Sequence, residues 1–145
     1  MKIYIGSAVQ GLNDSEYQKM TGRIRWLGKE LITRGHEILS YKSMSDRKST
    51  PAEIYEHDHK NCMECDAMIA LALNPSTGLG MEMITCLSRI RYGQSHPALV
   101  LAIADANTNV SKLLVGWKHP RFKFARYQEF EEIPEIFEKF CASVR

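Results

Sequence analysis

The chain has 145 residues, 44% of them hydrophobic and 25% charged, with a formal net charge of +2. That length suits one domain (1–145) around a single sizeable core, and the composition is that of an ordinary soluble globular protein. So small and dispersed a charge argues against a nucleic-acid partner, and no apolar run approaches the length of a membrane span.

Lys2 to Gly6 (KIYIG) reads as a short strand, and Gly6-Ser7 ends it in a turn that exposes backbone amides. No apolar signal core precedes it, so the expected location is cytoplasmic. Asn13 and Glu16 have the spacing of a capping box, and Tyr17, Met20, Ile24, Leu27 and Leu31 then mark one helical stripe. Gly35 stops that helix, and His36 to Leu39 is a second strand, so β-α-β is already written. Ser40 to Ser49 is polar and aperiodic, a loop suited to fold over a ligand or simply to move.

Thr50-Pro51-Ala52-Glu53 is a strong helix start, with cap, N1 proline and reciprocal glutamate. Ile54, Asp58, Asn61 or Cys62, and Cys65 share one face of the helix that follows, which puts Asp58 on the side expected to meet the protein. An inward carboxylate must be paired, or its pKa rises until it holds a proton. Asp58 therefore reads either as a general acid beside an ionised second carboxylate, or as the partner of a nearby loop or arginine. His57 and His59 flank it, but adjacent helical positions point apart, which argues against a His/Asp/His metal site. No metal or cofactor is expected.

Asp66 to Leu73 is the third strand, apolar enough to be covered on both faces. The stretch after it, Asn74 to Leu87 (NPSTGLGMEMITCL), turns into a helix expected to run to Tyr92. Ser76 or Thr77 can cap that helix, and Gly78 and Gly80 leave its first turn bare to an oxygen-rich ligand. Glu82 follows one turn in, where the helix dipole favours its ionised form. It is a candidate nucleophile beside a sugar-sized hollow, or a dipole-matched surface glutamate. The apolar face Met83, Cys86, Leu87, Ile90 leaves Glu82 at its margin. The glycines fit neither the dinucleotide fingerprint nor a P-loop.

Ala98 to Ile103 is the fourth strand; Asn107 to Gly116 holds a short helix starting near Asn109 or Val110, with Ser111 in its first turn. Phe122 to Tyr127 is the fifth strand, and Lys118, His119, Arg121, Lys123 and Arg126 form its solvated side. The last helix, Phe130 to Val144, carries Ile133, Ile136, Phe137, Phe140 and Val144 on one stripe. Cys62 and Cys65 are formally a C-x-x-C, a redox pair or half a zinc site, but no second pair completes it and it ends a helix instead of starting one. With Cys86 and Cys141 these read as reduced thiols of the core. Five strands alternating with helices give a doubly wound, flavodoxin- or Rossmann-like parallel sheet with helices on both faces. Gly6-Ser7 and Ser76 to Glu82 should line one crevice at the carboxyl ends of the strands, with Asp58 brought in by its helix.

Three segments carry a resemblance: Ile54-Tyr55-Glu56-His57-Asp58, then Cys65-Asp66-Ala67-Met68-Ile69-Ala70, then Asn74-Pro75-Ser76-Thr77-Gly78-Leu79-Gly80-Met81-Glu82. In order and spacing they resemble the nucleoside 2-deoxyribosyltransferase superfamily, most nearly the 2'-deoxynucleoside 5'-monophosphate N-glycosidases. The resemblance implies that Glu82 attacks the anomeric carbon, that Asp58 assists or orients the leaving base, and that Ser76 contacts a 5'-phosphate. It implies further that Gly6-Ser7 is the family's Gly-Ser turn. Ser111 would match a serine that reaches the phosphate from a neighbouring subunit, making the active protein a homodimer or larger. The implied partner is a small nucleotide or nucleoside. The implied activity is hydrolysis of its N-glycosidic bond; transfer of deoxyribose to a second base, or non-catalytic nucleotide binding, are the alternatives. The chain departs from the family in offering Ala8-Val9-Gln10-Gly11 where an arginine usually follows Gly-Ser, and Met81 where an aromatic is common.

Overall fold

The computed structural model describes residues 1–9, 11–39, 49–91 and 93–144. The expected loop over Ser40 to Ser49 therefore lies, but for Ser49, outside the described residues. In chain order the elements are β1 (Lys2–Ser7), α1 (Asp14–Thr33), β2 (Glu37–Ile38), α2 (Pro51–Glu64), β3 (Ala67–Leu71), α3 (Thr77–Ser88), β4 (Ile90–Arg91), β5 (Gln94–Ser95), β6 (Leu99–Asp105), α4 (Lys112–Gly116), β7 (Phe122–Tyr127) and α5 (Ile133–Ser143). A single 3-10 turn, Phe130–Glu132, leads into α5. Five strands form one sheet in the order β2-β1-β3-β6-β7, every pair parallel. This is the doubly wound α/β arrangement expected, with its topological switch between β1 and β3, where ligands of such sheets bind.

Local chemistry sets the helix ends. Asn13 and Glu16 form the reciprocal capping box of α1, and Thr50 and Glu53 that of α2. Gly35 takes a φ of 85°, which ends α1 and turns the chain toward β2.

Strand alternation divides the core in two. Ile3 and Ile5, Ala67, Ile69 and Leu71, and Leu99, Leu101 and Ile103 face one way, onto Ile24, Leu27 and Leu31 of α1 and Ile133, Phe137 and Phe140 of α5. Tyr4, Met68, Ala70, Val100, Ala102 and Phe122 face the other way, onto Cys62 and Cys65 at the end of α2 and Leu79, Met83, Cys86 and Leu87 of α3. On that second face, the register sets Gly6 beside Ala70, and Ala70 beside Ala102. Three small residues in a row leave room above the carboxyl ends of the central strands.

Several expectations need correction. α3 stops at Ser88 instead of running to Tyr92, and Ile90 leaves the helix to enter the β4–β5 hairpin, where it is 63% exposed. The cause is Arg89, which turns inward: Nε donates to the His96 carbonyl at 2.6 Å and Nη1 to the Cys62 carbonyl at 2.7 Å. A cation on the last carbonyls of α2 answers the negative end of that helix. Ile54 shares the helical stripe of Asp58 yet stays 41% exposed. Ser111 stands one position before α4 as its N-cap, not inside its first turn. No helix of the described residues is long and apolar enough to cross a membrane.

Candidate active site

The crevice forms where β1 and β3 lie side by side and α3 begins. Ser76 caps α3, its hydroxyl accepting from the Leu79 amide at 3.2 Å, while Gly80 N donates to the Ser76 carbonyl at 3.2 Å. Helical geometry aims the amides of Thr77 and Gly78 past the end of the helix. A side chain at Gly80 would meet nothing within 4 Å, and one at Gly78 only the Ser76 hydroxyl at 3.8 Å. The first turn is open, as its glycines imply.

One turn on, Glu82 reaches across to β1. The Tyr4 hydroxyl donates to Glu82 Oε2 at 2.8 Å, and a Cβ added to Gly6 would lie 2.7 Å from that oxygen and 2.7 Å from Met68 Cε. Gly6 is thus required by close approach: its missing side chain is the space the carboxylate occupies. Removal from water pushes the Glu82 pKa up to about 7; the Tyr4 bond opposes the rise and the nearby Asp58 charge adds to it. Burial, then Glu82, then Asp58 hold the Tyr4 phenol well above its ordinary range, so it stays a donor. The raised carboxyl is therefore Glu82, which from its helix position alone was expected to be ionised at the margin of the helix. Desolvation outweighs the dipole once the carboxylate is folded under β1.

Asp58 lies on α2, partly buried, and its Oδ1 is 2.9 Å from His57 Nδ1. Adjacent helical side chains were expected to diverge; here they meet. Ser7 ends β1 with a buried hydroxyl that has no hydrogen-bond partner among the described residues. Such a group calls for a ligand atom or a water. The structure thus gathers Gly6, Ser7, Asp58, Ser76, Gly78, Gly80 and Glu82 at one end of the sheet. Ser111 stands apart: it is exposed beyond β6, with its hydroxyl accepting from Leu113 N at 3.2 Å. Tyr4 is the residue that sequence reasoning missed. Its signal was the alternation of KIYIG, which puts Tyr4 on the same strand face as Gly6.

The four cysteines are thiols, not disulfides, and are buried, as expected of the core. Hydrogen bonding to Cys62 and Cys65, together with burial, pushes the Cys86 thiol far up, opposite to what thiolate chemistry needs. Among the described residues no group of three or more His, Cys, Asp and Glu side chains could hold a metal ion.

No protein-family model matches the chain. Curated relatives do. A protein of Thermofilum pendens named "Putative 2'-deoxynucleoside 5'-phosphate N-hydrolase 1" is 25% identical, over 93% of this chain and 91% of its own length. A protein of the same name from Methanosarcina mazei is 29% identical, over 83% of this chain and 74% of its own. Among solved structures, the CMP N-glycosidase of Clostridium botulinum superposes with a TM-score of 0.66 at 17% identity, covering 97% of this chain and 99% of that one. Its likeness speaks for the shared fold. In sequence pattern this chain is similar to proteins named as putative 2'-deoxynucleoside 5'-phosphate N-hydrolases and in fold to a CMP N-glycosidase, a likeness consistent with the nucleoside 2-deoxyribosyltransferase-like superfamily that its Asp, strand and Pro-Ser-x-Gly-x-Gly-x-Glu turn resemble.

Proposed function

We propose that this chain hydrolyses the N-glycosidic bond of a deoxynucleoside 5'-monophosphate or nucleoside through a covalent bond between Glu82 and the sugar. The observation that carries the reading is the Tyr4–Glu82 pair: a carboxylate beneath the β1–β3 crevice, with one oxygen held at 2.8 Å by a phenol. Tyr4 occupies Oε2, which leaves Oε1 as the attacking atom. Oε1 bonds to the anomeric carbon as the C–N bond to the base breaks, through an oxocarbenium-like transition state, and Asp58 supplies a proton to the departing base. Water then attacks the same carbon, Asp58 takes its proton, and Glu82 is released. The absence of a 2'-hydroxyl makes the cationic transition state easier to reach, which favours deoxy substrates.

The open first turn of α3, with Ser76 at its cap and Gly78 and Gly80 within it, faces the 5' oxygens, and the Ser7 hydroxyl, without a partner among the described residues, supplies a further contact. Ser111 completes the phosphate site from a second copy of the chain. Exposed apolar side chains support that assembly: Ile54, Tyr55, Met81, Ile84, Leu113 and Val115 all lie on α2, α3 and α4, with Leu113 83% exposed. These helices cover one side of the sheet. The raised Glu82 pKa makes activity rise as pH passes about 7, since only the ionised form attacks.

Deoxynucleosides and their 5'-monophosphates, incubated with wild type and with Glu82→Ala and followed by chromatography of the free base, test the reading. Wild type releases base, and the variant loses at least ~10⁴-fold, as expected when a covalent nucleophile is removed. No release from any member, even with a second base offered as acceptor, refutes it in favour of a binding domain.

A further inference from the structure

The proposed mechanism leaves one set of polar contacts unused. On α2, His57 Nδ1 lies 2.9 Å from Asp58 Oδ1, and the Asn61 side-chain nitrogen lies 3.2 Å from His57 Nε2 and 3.4 Å from Nδ1. Asn61 is buried, 6% exposed, where α2 packs on α3 and β1. His57 and Asp58 are half-open, at 36% and 29%. The contacts among these three side chains favour one arrangement of protons. The Asn61 nitrogen can only donate, so it needs an unprotonated ring nitrogen, and Nε2 is the nearer. Nδ1 then carries the ring proton and donates a hydrogen bond to Asp58 Oδ1, which leaves Oδ2 to carry the proton given to the base. A buried amide anchored in the core therefore orients an imidazole, which in turn orients a carboxylate.

We propose that His57 is a positioning residue for Asp58, with Asn61 setting its ring and tautomer. Resting on the glycosidase reading above, this assigns distinct tasks to the two oxygens of Asp58: Oδ1 is held by His57, and Oδ2 is turned to the base. A side chain at the mouth of the crevice is otherwise free to swing among rotamers, and an acid out of line by about 1 Å loses most of its effect. The arrangement parallels the one on Glu82, where Tyr4 holds one oxygen and leaves the other to react. Each carboxylate of the site thus has its own tether, Tyr4 from the strand and His57 from the helix.

Five proteins suffice for the test: wild type, His57→Phe, His57→Gln, Asp58→Asn and the double variant His57→Phe/Asp58→Asn. Each is assayed for kcat and KM on the preferred substrate and on a deoxyribosyl donor whose leaving group is weakly basic and departs without a proton. His57→Phe lowers kcat about 30-fold with KM little changed, a loss in the range of general acid catalysis. His57→Gln, which keeps an N–H donor, recovers most of it. The His57→Phe defect shrinks severalfold on the weakly basic donor, which also shows that the variant is folded. In the Asp58→Asn background, adding His57→Phe brings no further loss, because the two act as one unit. A His57→Phe enzyme with wild-type kcat, or one equally impaired on both donors, overturns the inference while the glycosidase reading stands. A wild type that releases no base from either donor overturns both.

Discussion

The two sides of the sheet are built from different materials. The α1/α5 side is mainly aliphatic and aromatic, with Ile3, Ile5, Leu27, Leu31, Ile69, Leu101 and Phe137 all fully buried. The α2/α3 side holds small residues and sulfur, Ala70, Ala102, Met68, Met83 and three cysteines, and admits Tyr4 and buried Asn61 and Arg89 beside them. Large branched side chains fill space in defined rotamers; alanine, cysteine and glycine leave it for something else. One side is scaffold. The other yields volume to a carboxylate and keeps its outer helices apolar.

Paired substitutions put that division to the test, and they carry the largest effects. Leu27→Ala opens a cavity in the scaffold and lowers unfolding free energy by about 2–5 kcal/mol in urea titrations, with kcat unchanged. Gly6→Ala does the reverse. Its Cβ would stand 2.7 Å from Glu82 Oε2, so kcat/KM falls about 100-fold while stability changes less. Equal losses of activity in both variants would erase the distinction between the layers.

Glu82 sharpens it with a smaller effect on stability. Across the pH range from an ordinary carboxyl value up to about 7, the folded chain holds a proton that the unfolded chain has lost. Stability therefore falls as pH rises through that window, by at most about 3 kcal/mol. Glu82→Gln lacks this term, so it is more stable than wild type at about pH 8, and the advantage fades toward about pH 4. Thermal melts across that range read the difference. A variant equally stable or weaker at the alkaline end shows that Glu82 is well solvated.

Tyr4→Phe is the mildest change, about 1 kcal/mol for one hydrogen bond. Because that bond lowers the Glu82 pKa, its loss moves the rising limb of the pH–activity profile upward from about 7. A limb that stays in place removes Tyr4 from the site.

What could be read from sequence followed from local rules. Capping boxes at Asn13 and Thr50, a cap at Ser76 or Thr77, and the alternation of short apolar strands with striped helices outlined a five-stranded parallel sheet with helices on both faces. The misses came where a distant partner decides. Ile90 continues the apolar period of α3, yet Arg89 binds a carbonyl of Cys62, 27 residues back, and pulls the chain into a hairpin. Ile54 obeys the stripe of α2 but stays 41% exposed, since a periodic pattern gives a direction and not a neighbour. For Glu82 the helix position was legible; its desolvation was not, because β1 supplies the cover.

The Tyr4–Glu82 bond joins residues 78 positions apart. During synthesis Tyr4 leaves the ribosome well before Glu82, and neither alone makes the pair. Only when β1 has paired with β3 and α3 has docked does the carboxylate lose its water and take up the phenol. A partly made or partly folded chain therefore presents an ordinary solvated glutamate, and the desolvated, phenol-bound one exists only after the whole sheet is in place.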